Sequence, residues 1–243
     1  MKNETYSLMK EFENTYWWYR ARREIICDVV AHHVAPGAHI LDVGSGTGAT
    51  ALQLQKMGYQ VTAADNSAPA LTASREAGLP TLDLTEHPIP PASTDCVLAC
   101  DVLEHVNDDF GMLLKLRQAL RPDGCLVATV PAYDFLWSGE DYVSEHVRRY
   151  RRSTLLEKIK SAGFESVWCS YFNTFLSPLV AATILAKRVF WPRDMYRSNI
   201  HQLPERLNEA LYSVFAFERL ALRELTFAFG TSIILIARPT GPN

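Results

Sequence analysis

The chain has 243 residues, 48% of them hydrophobic and 21% charged, and a formal net charge of −3 at pH 7. That is enough apolar mass for one sizeable core, and the missing basic surplus argues against nucleic acid as the main partner. Five cysteines without a C-x-x-C pair read as reduced core thiols, hence as a cytoplasmic protein.

The opening, Met1–Tyr6, is polar and acidic, with no apolar stretch behind a basic start, and reads as no signal peptide. From Ser7 to Val34, residues Trp17, Trp18, Tyr19, Ile25, Ile26, Val29 and Val30 are spaced for an apolar helical face, and Pro36-Gly37 ends the segment. Four consecutive aromatics, Tyr16 to Tyr19, stand within it. They cannot all face one core: either they pad the helix against a sheet, or some, Trp17 and Tyr19 among them, face a ligand. Arg20 and Arg23 either meet a ligand carboxylate or lie in solvent.

Ile40-Leu41-Asp42-Val43-Gly44-Ser45-Gly46-Thr47-Gly48 is an apolar strand running into a glycine-rich turn, and Ala49 to Lys56 is the helix behind it. Glycine permits positive φ and close approach of the main chain to a ligand, and the helix points unpaired N–H groups at whatever sits there. This is a nucleotide cradle. Asp42 is placed to accept hydrogen bonds from a ligand ammonium or from the turn's own N–H groups. Asp65 closes the next apolar run, Gln60 to Ala64, about 20 residues on, where an acid that binds two ribose hydroxyls belongs. Further β-like runs at Thr81–Asp83, Cys96–Ala99 and Leu126–Val130 alternate with helical stretches, which implies right-handed crossovers and a parallel sheet covered on both faces. Ligands then bind at the carboxyl ends of the strands, where the glycine turn, Asp65, Asp83 and the stretch Cys100–Glu104 converge. Asp95, beside the fourth run, reads as its cap.

These residues resemble the class I S-adenosylmethionine-dependent methyltransferases, whose first motif has an acid, any residue and Gly-x-Gly-x-Gly, matched by Asp42 to Gly48. Leu103-Glu104-His105-Val106 is similar to the Leu-Glu-His step after that family's fourth strand. Leu120 to Val127 resembles its Leu-x-Pro-Gly-Gly turn, with Asp123 in place of the first glycine. The resemblance runs from Ile40 to Pro131 and implies a doubly wound, seven-stranded α/β sheet, mostly parallel, with an antiparallel last strand. It implies S-adenosyl-L-methionine as cofactor, held by Asp42, Gly44, Ser45, Gly46, Gly48, Asp65, Asn66 and Cys100, with Asp83 and Leu84 on the adenine side and Arg20 on the carboxylate.

The loop after the fifth strand, Val130 to Ser153, sits beside the methyl donor in that fold, where the acceptor belongs. It resembles a branch of the superfamily with Trp, an acid and His-x-Arg-Arg-Tyr, here Trp137, Asp141 and His146 to Tyr150. His146 is the candidate general base; the alternative is a histidine that orders the loop by bonding a carbonyl or Glu145. Tyr133, Trp137 and Arg149 join Trp17 and Tyr19 as candidate acceptor contacts. The arginines at 148–152 either bind an anionic acceptor group or pair with Glu140, Asp141 and Glu145. His105 ranks below His146, and Asp101 with Asp134, lacking a third ligand, make no metal site.

A helix over Ser153–Ala162 precedes the sixth strand, Phe164–Tyr171, and Gly230–Arg238 is the last. In place of the family's short hairpin between them stands an insertion, Phe172 to Phe229. Its apolar first half is too short to span a bilayer. It lies on a membrane surface through residues 172–198, with Lys187, Arg188, Arg193 and Arg197 toward headgroups, or closes over an apolar acceptor, or caps the sheet edge. The second half, Pro204 to Leu225, puts Leu207, Leu211, Val214, Phe215 and Leu222 on one face, with Glu218 on the same stripe, paired with an arginine or facing the acceptor.

The expectation is one domain over 1–243: a helical lid (1–36), a core (37–171), the insertion (172–229) and a last strand (230–238). It transfers a methyl group to an oxygen or nitrogen of a small, partly apolar acceptor. The competing readings are an NAD(P)-dependent oxidoreductase on the same glycine turn and a non-catalytic cofactor-binding scaffold. No Asn/Asp-Pro-Pro-Tyr follows the fourth strand and the paired-glutamate loop of protein arginine methyltransferases is missing, which removes those acceptors.

Overall fold

The apolar runs become strands β1 His39–Val43, β2 Gln60–Asp65, β3 Thr81–Asp83, β4 Thr94–Cys100, β5 Leu120–Pro131, β6 Phe164–Phe172 and β7 Ser232–Pro239. In the computed structural model, which describes residues 10–241, they form one sheet in the order β3-β2-β1-β4-β5-β7-β6. β7 is antiparallel to both neighbours, Leu235 pairing with Ala128 on one side and Cys169 on the other. β1, β4 and β7 read as near-continuous apolar runs because both faces of the sheet are covered.

One face carries α1 (Trp17–His33) and α2 (Ala49–Lys56), whose Ile25, Ile26, Ala51 and Leu54 pack on Ile40, Val61 and Leu98. The other carries α4 (Asp109–Ala119) and α6 (Arg152–Ser161), whose Leu113, Leu116, Leu155 and Ile159 pack on Val97 and Leu126. Between them in sequence lie α3 (Ala68–Glu76) and the short α5 (Gly139–Val143). The opening Met1–Tyr6 and the first residues of the expected N-terminal helix, Ser7–Met9, lie outside the described residues. Lys10–Phe12 are helical, but Glu13–Thr15 form a turn, and α1 starts only at Trp17 after an extended Tyr16 (φ −77°, ψ 132°).

The insertion supplies α7 (Ser177–Phe190) and α8 (Glu205–Leu222). α8 lies along α1: Phe215 packs against Trp17 (5.8 Å between centroids) and Phe172 (6.1 Å), Asn208 accepts the Trp17 N–H at 2.9 Å, and the Tyr212 hydroxyl donates to Glu24. Two expectations are corrected here. Trp17 is core, not an acceptor contact. The buried stripe of α8 is Phe215, Glu218 and Leu222, with Leu207 and Val214 exposed on its outer side, because the helix turns its face to α1. Among the described residues Glu218 makes no ion pair with an arginine. Its Oε1 accepts the Phe175 N–H at 2.7 Å and so ties α8 to the turn that starts α7, and burial raises its pKa.

Candidate functional site

The glycine turn is strained as a ligand cradle requires. Gly44, Gly46 and Gly48 have φ of 70°, 56° and 80°, a region in which side-chain-bearing residues rarely rest, and a Cβ on Gly44 would stand 2.7 Å from Val102. The end of β2 answers the amides of the turn: the Ala64 carbonyl accepts Gly44 N–H (2.8 Å) and Ser45 N–H (3.2 Å), and Asp65 accepts Gly46 N–H (3.0 Å) and Ser67 N–H (2.9 Å). The Asn66 backbone also hydrogen-bonds this carboxylate, and of its roughly four acceptor sites capacity remains for a ligand hydroxyl. Asn66 beside it is exposed.

Asp42 is buried directly behind the turn. Burial, together with the Asp65 charge and against the opposing Arg22, pushes its carboxyl up to about 7. Ser45 Oγ is buried without a hydrogen-bond partner. A buried, near-neutral carboxyl and an orphan hydroxyl around a positive-φ turn fit a ligand with an ammonium and a ribose, which would bring Asp42 to its ionised form. A prediction follows from the sign. The Asp42 proton is held more tightly in the folded chain than in the unfolded one, so its contribution to stability is greatest in acid and falls as pH rises from about 4 to about 7. Cationic ligand binding reverses that preference. Calorimetry in buffers of different ionisation heats is expected to show proton release on binding at pH 6, shrinking towards none at pH 8. Asp42→Asn is expected to melt higher than the parent at pH 8 while binding the ligand at least tenfold more weakly.

At β3, Asp83 caps its own turn, accepting from the Thr85 N–H (2.9 Å) and hydroxyl (2.7 Å), which hold its carboxyl below the ordinary range. Leu84 donates its N–H to the Asp65 carbonyl, and both side chains stay half-buried. Asp95 accepts the His39 N–H at 2.9 Å and pairs with Arg121, clamping β1 to β4 as a cap should.

Arg20 is a correction. It pairs with Glu209 and lies over the Tyr212 ring at 4.0 Å, held by α8 on the side away from the turn. The arginine that enters the crevice is Arg22. It is half-buried, 2.7 Å from Asp101 and 2.9 Å from the Thr129 hydroxyl, at the ends of β4 and β5 beside Cys100. The signal for it was available: Arg22 precedes Ile26 by four and Val29 by seven, on the buried stripe of α1, where a cation survives only in a pair. Tyr19 lies on the same side, its phenol driven up by burial and by the Glu140 charge.

The loop after β5 is organised by Asp141, which is fully buried. It accepts the Ser138 N–H (2.7 Å), a bidentate pair of bonds from Arg149 Nε and Nη2 (2.8 Å each) and a contact from His146 Nδ1 at 2.9 Å. Burial opposes ionisation, but His146 and Arg149 outweigh it and hold the carboxyl at about 2. The His146 ring is thus ordered by Asp141, a carboxylate, through Nδ1. A buried carboxylate fixes one nitrogen and leaves Nε2. Arg149 is a second correction: its guanidinium is consumed by Asp141 and the Ala132 carbonyl, so it orders the loop and has no fork left for an acceptor. Arg148 is likewise paired, with Asp109. His105 lies edge-on to His146, 4.6 Å between ring centroids. Beside them Glu104 is fully buried, with both carboxylate oxygens lacking hydrogen-bond partners.

Tyr133 stacks with Tyr171 and Phe229, each at 5.2 Å, so its ring fills an aromatic layer at the foot of the insertion. Trp137 is half-buried against Tyr142, and its carbonyl accepts from Arg188. A cavity of about 320 Å³ runs along α2 beneath Lys10–Asn14 and touches Thr47 and Gly48. Asp42, Asp65, Cys100 and Glu104 line the strand-end crevice instead, where the chemistry converges.

Comparison with known proteins agrees with this geometry. A family model described as a methyltransferase domain matches residues 41–128. A "Probable S-adenosylmethionine-dependent methyltransferase" of Mycolicibacterium smegmatis is 30% identical over 160 residues, 63% of this chain and 61% of that protein. A "Ubiquinone biosynthesis O-methyltransferase" of Xanthomonas campestris pv. campestris is 28% identical over 151 residues, 53% of this chain and 63% of that protein. The chain thus spans about three fifths of the length of these curated relatives. Among solved structures, the 1,6-didemethyltoxoflavin-N1-methyltransferase of Burkholderia thailandensis shares the fold, with a TM-score of 0.54 at 18% identity over 99% of this chain and 92% of that one. The methyltransferase-domain match spans the turn from Asp42 to Gly48 and the strands from β1 to β5, and the sheet order is the one expected from the resemblance to class I S-adenosylmethionine-dependent methyltransferases.

Proposed function

We propose that the chain transfers a methyl group from S-adenosyl-L-methionine to an oxygen or nitrogen of a small, partly apolar acceptor. The observation that carries this reading is the Asp141–His146 pair, a histidine with one nitrogen anchored and one left, standing where β4 and β5 end. The cofactor, when bound, supplies a methyl group activated on a sulfonium.

The side chains of this protein do the rest. Asp65 binds the ribose hydroxyls, Asp42 the ammonium, and Gly44 to Gly48 with Ser45 lie against the ligand backbone. Asp83 and Leu84 border the adenine side, and Cys100 closes the crevice. Tyr19 and Trp137 flank the acceptor, which is held close and aligned, the largest contribution available when the leaving group is already reactive. His146 takes the acceptor's proton at Nε2 in the ion-free protein, a role commonly worth about 10²–10⁴ in rate.

No helix among the described residues is long and apolar enough to cross a membrane. α7 and the residue after it nevertheless expose Leu179, Leu185, Val189, Phe190 and Trp191, which supports a protein of the cytoplasm that rests on a bilayer surface to collect an apolar acceptor. Lys187 and Arg188 do not face headgroups in that arrangement, since they bond Asn199 and the Trp137 carbonyl, and Arg197 is paired with Asp194; Arg193 is exposed for that role.

The test is calorimetric titration with S-adenosylmethionine, S-adenosylhomocysteine and NADH in parallel, followed by transfer of labelled methyl to phenol and amine panels. Binding of the first two with turnover is the expected result. Cofactor binding with no turnover would favour the scaffold, and binding of NADH alone the oxidoreductase.

A further inference from the structure

We propose that Glu104, His105 and His146 bind one divalent transition-metal ion, and that a hydroxyl-bearing acceptor is held through it. The ion site stands on geometry alone, whereas the acceptor's part rests on the methyltransferase reading.

One ligand atom from each of the three side chains lies within 4.8 Å of the others. An ion with bonds of about 2.1 Å holds its ligands up to about 4.2 Å apart, so shifts of a few tenths of an ångström close the site. Glu104 enters from the turn after β4 and the imidazole of His146 from the loop after β5, both on the acceptor side of the crevice.

The two imidazoles are prepared as ligands are. His146 Nδ1 is fixed by Asp141 at 2.9 Å, and the backbone of Ser144 hydrogen-bonds the His105 ring. Both rings are thus oriented by the protein, which steadies and strengthens a metal-bound histidine.

Glu104 is the independent observation. It is fully buried, and neither carboxylate oxygen meets a hydrogen-bond partner. The neighbouring charges are matched: Asp101 by Arg22, and Asp141 by Arg149. Glu104 is left as a buried carboxyl group whose two oxygens meet no donor, a costly feature that native proteins keep only for a reason. A divalent ion satisfies both oxygens and the charge.

One carboxylate and two imidazoles suit Zn²⁺, Co²⁺, Fe²⁺ or Mn²⁺ better than Mg²⁺ or Ca²⁺, and three protein ligands leave a position open for water or an acceptor oxygen. With the ion bound, His146 is a ligand and no longer the base. The acceptor's O–H bond then breaks at the ion, the electron pair staying on oxygen and the proton passing to solvent water.

The experiment strips the full chain with a chelator and titrates Zn²⁺ by calorimetry and Co²⁺ by visible absorption. Glu104→Gln and His146→Ala are run beside the parent, with S-adenosylmethionine binding measured on every sample. One ion per chain is expected, bound at least 100-fold more weakly by either variant, with Zn²⁺ raising the melting temperature of the parent but not of Glu104→Gln. That variant keeps the size and polarity of the side chain and removes its ability to ionise, so it is expected to fold about as well as the parent. Absence of ion binding at millimolar concentration, or binding undiminished in Glu104→Gln, would overturn the site. Cofactor binding without ion binding likewise sinks the ion site and spares the methyltransferase reading; ion binding without cofactor binding does the reverse.

Discussion

Asp65→Ala is expected to abolish measurable binding of S-adenosylmethionine. Each hydrogen bond from a ribose hydroxyl to a charged acceptor is worth about 1.5–3 kcal/mol, so loss of two weakens binding by about 10²–10⁴. A further penalty arises inside the protein. Asp65 also receives the amides of Gly46 and Ser67, and its removal leaves two donors bare at the point where the glycine turn must hold positive φ. The apo protein is therefore expected to lose about 1–3 kcal/mol of stability as well. Asp65→Asn separates the two effects in part: Gly46 and Ser67 bond different oxygens of Asp65, so asparagine keeps an acceptor for only one of them and should melt between the parent and Asp65→Ala, yet bind the cofactor poorly. The measurement is a melting curve and a calorimetric titration on both variants. Unchanged affinity in Asp65→Ala would mean that the cradle has been assigned to the wrong ligand.

The second large effect is at Asp141. Asparagine there preserves shape but removes the charge that faces the Arg149 guanidinium and His146. Breaking a buried pair by neutralising one partner typically costs about 3–5 kcal/mol, because the surviving charge has nowhere to go. Arg149 has only the Ala132 carbonyl left. Asp141→Asn is thus expected to melt well below the parent and to lose turnover by at least 100-fold, while cofactor affinity in the folded fraction is retained. The acid limb of the stability curve gives an independent check. A carboxyl held at about 2 in the folded chain contributes stability that is present above about 4 and is lost as pH falls towards 2; the variant should lack that component of the acid transition. A variant as stable and active as the parent would show that the loop is held together elsewhere.

Much of this molecule was legible in its sequence, for a local reason. Strand and helix periods, and glycines at the positions where a turn demands positive φ, are properties of neighbouring residues. β3 and α2 appear at the bounds the pattern predicts, and Asp42, Asp65 and the Leu103–His105 step fall at strand ends because alternation of strand and helix leaves no other place for them. The antiparallel last strand came through the family resemblance and is present as β7.

What the pattern could not decide was which side chains meet across the fold. Arg20 and Arg22 are two residues apart on one helix, yet the first pairs with Glu209 and the second with Asp101, since positions two apart point to different sides of a helix. Trp17 became core because α8, distant in sequence, covers it. Arg149 was spent on a carboxylate that sequence alone could not show to be fully buried. The sequence therefore determined the sheet, the cradle and the family of the cofactor. Tertiary packing decided which charged groups were paired, as Arg22 with Asp101 and Arg149 with Asp141, and which, such as Glu104, were buried without a partner, because burial and pairing depend on contacts that local spacing does not encode.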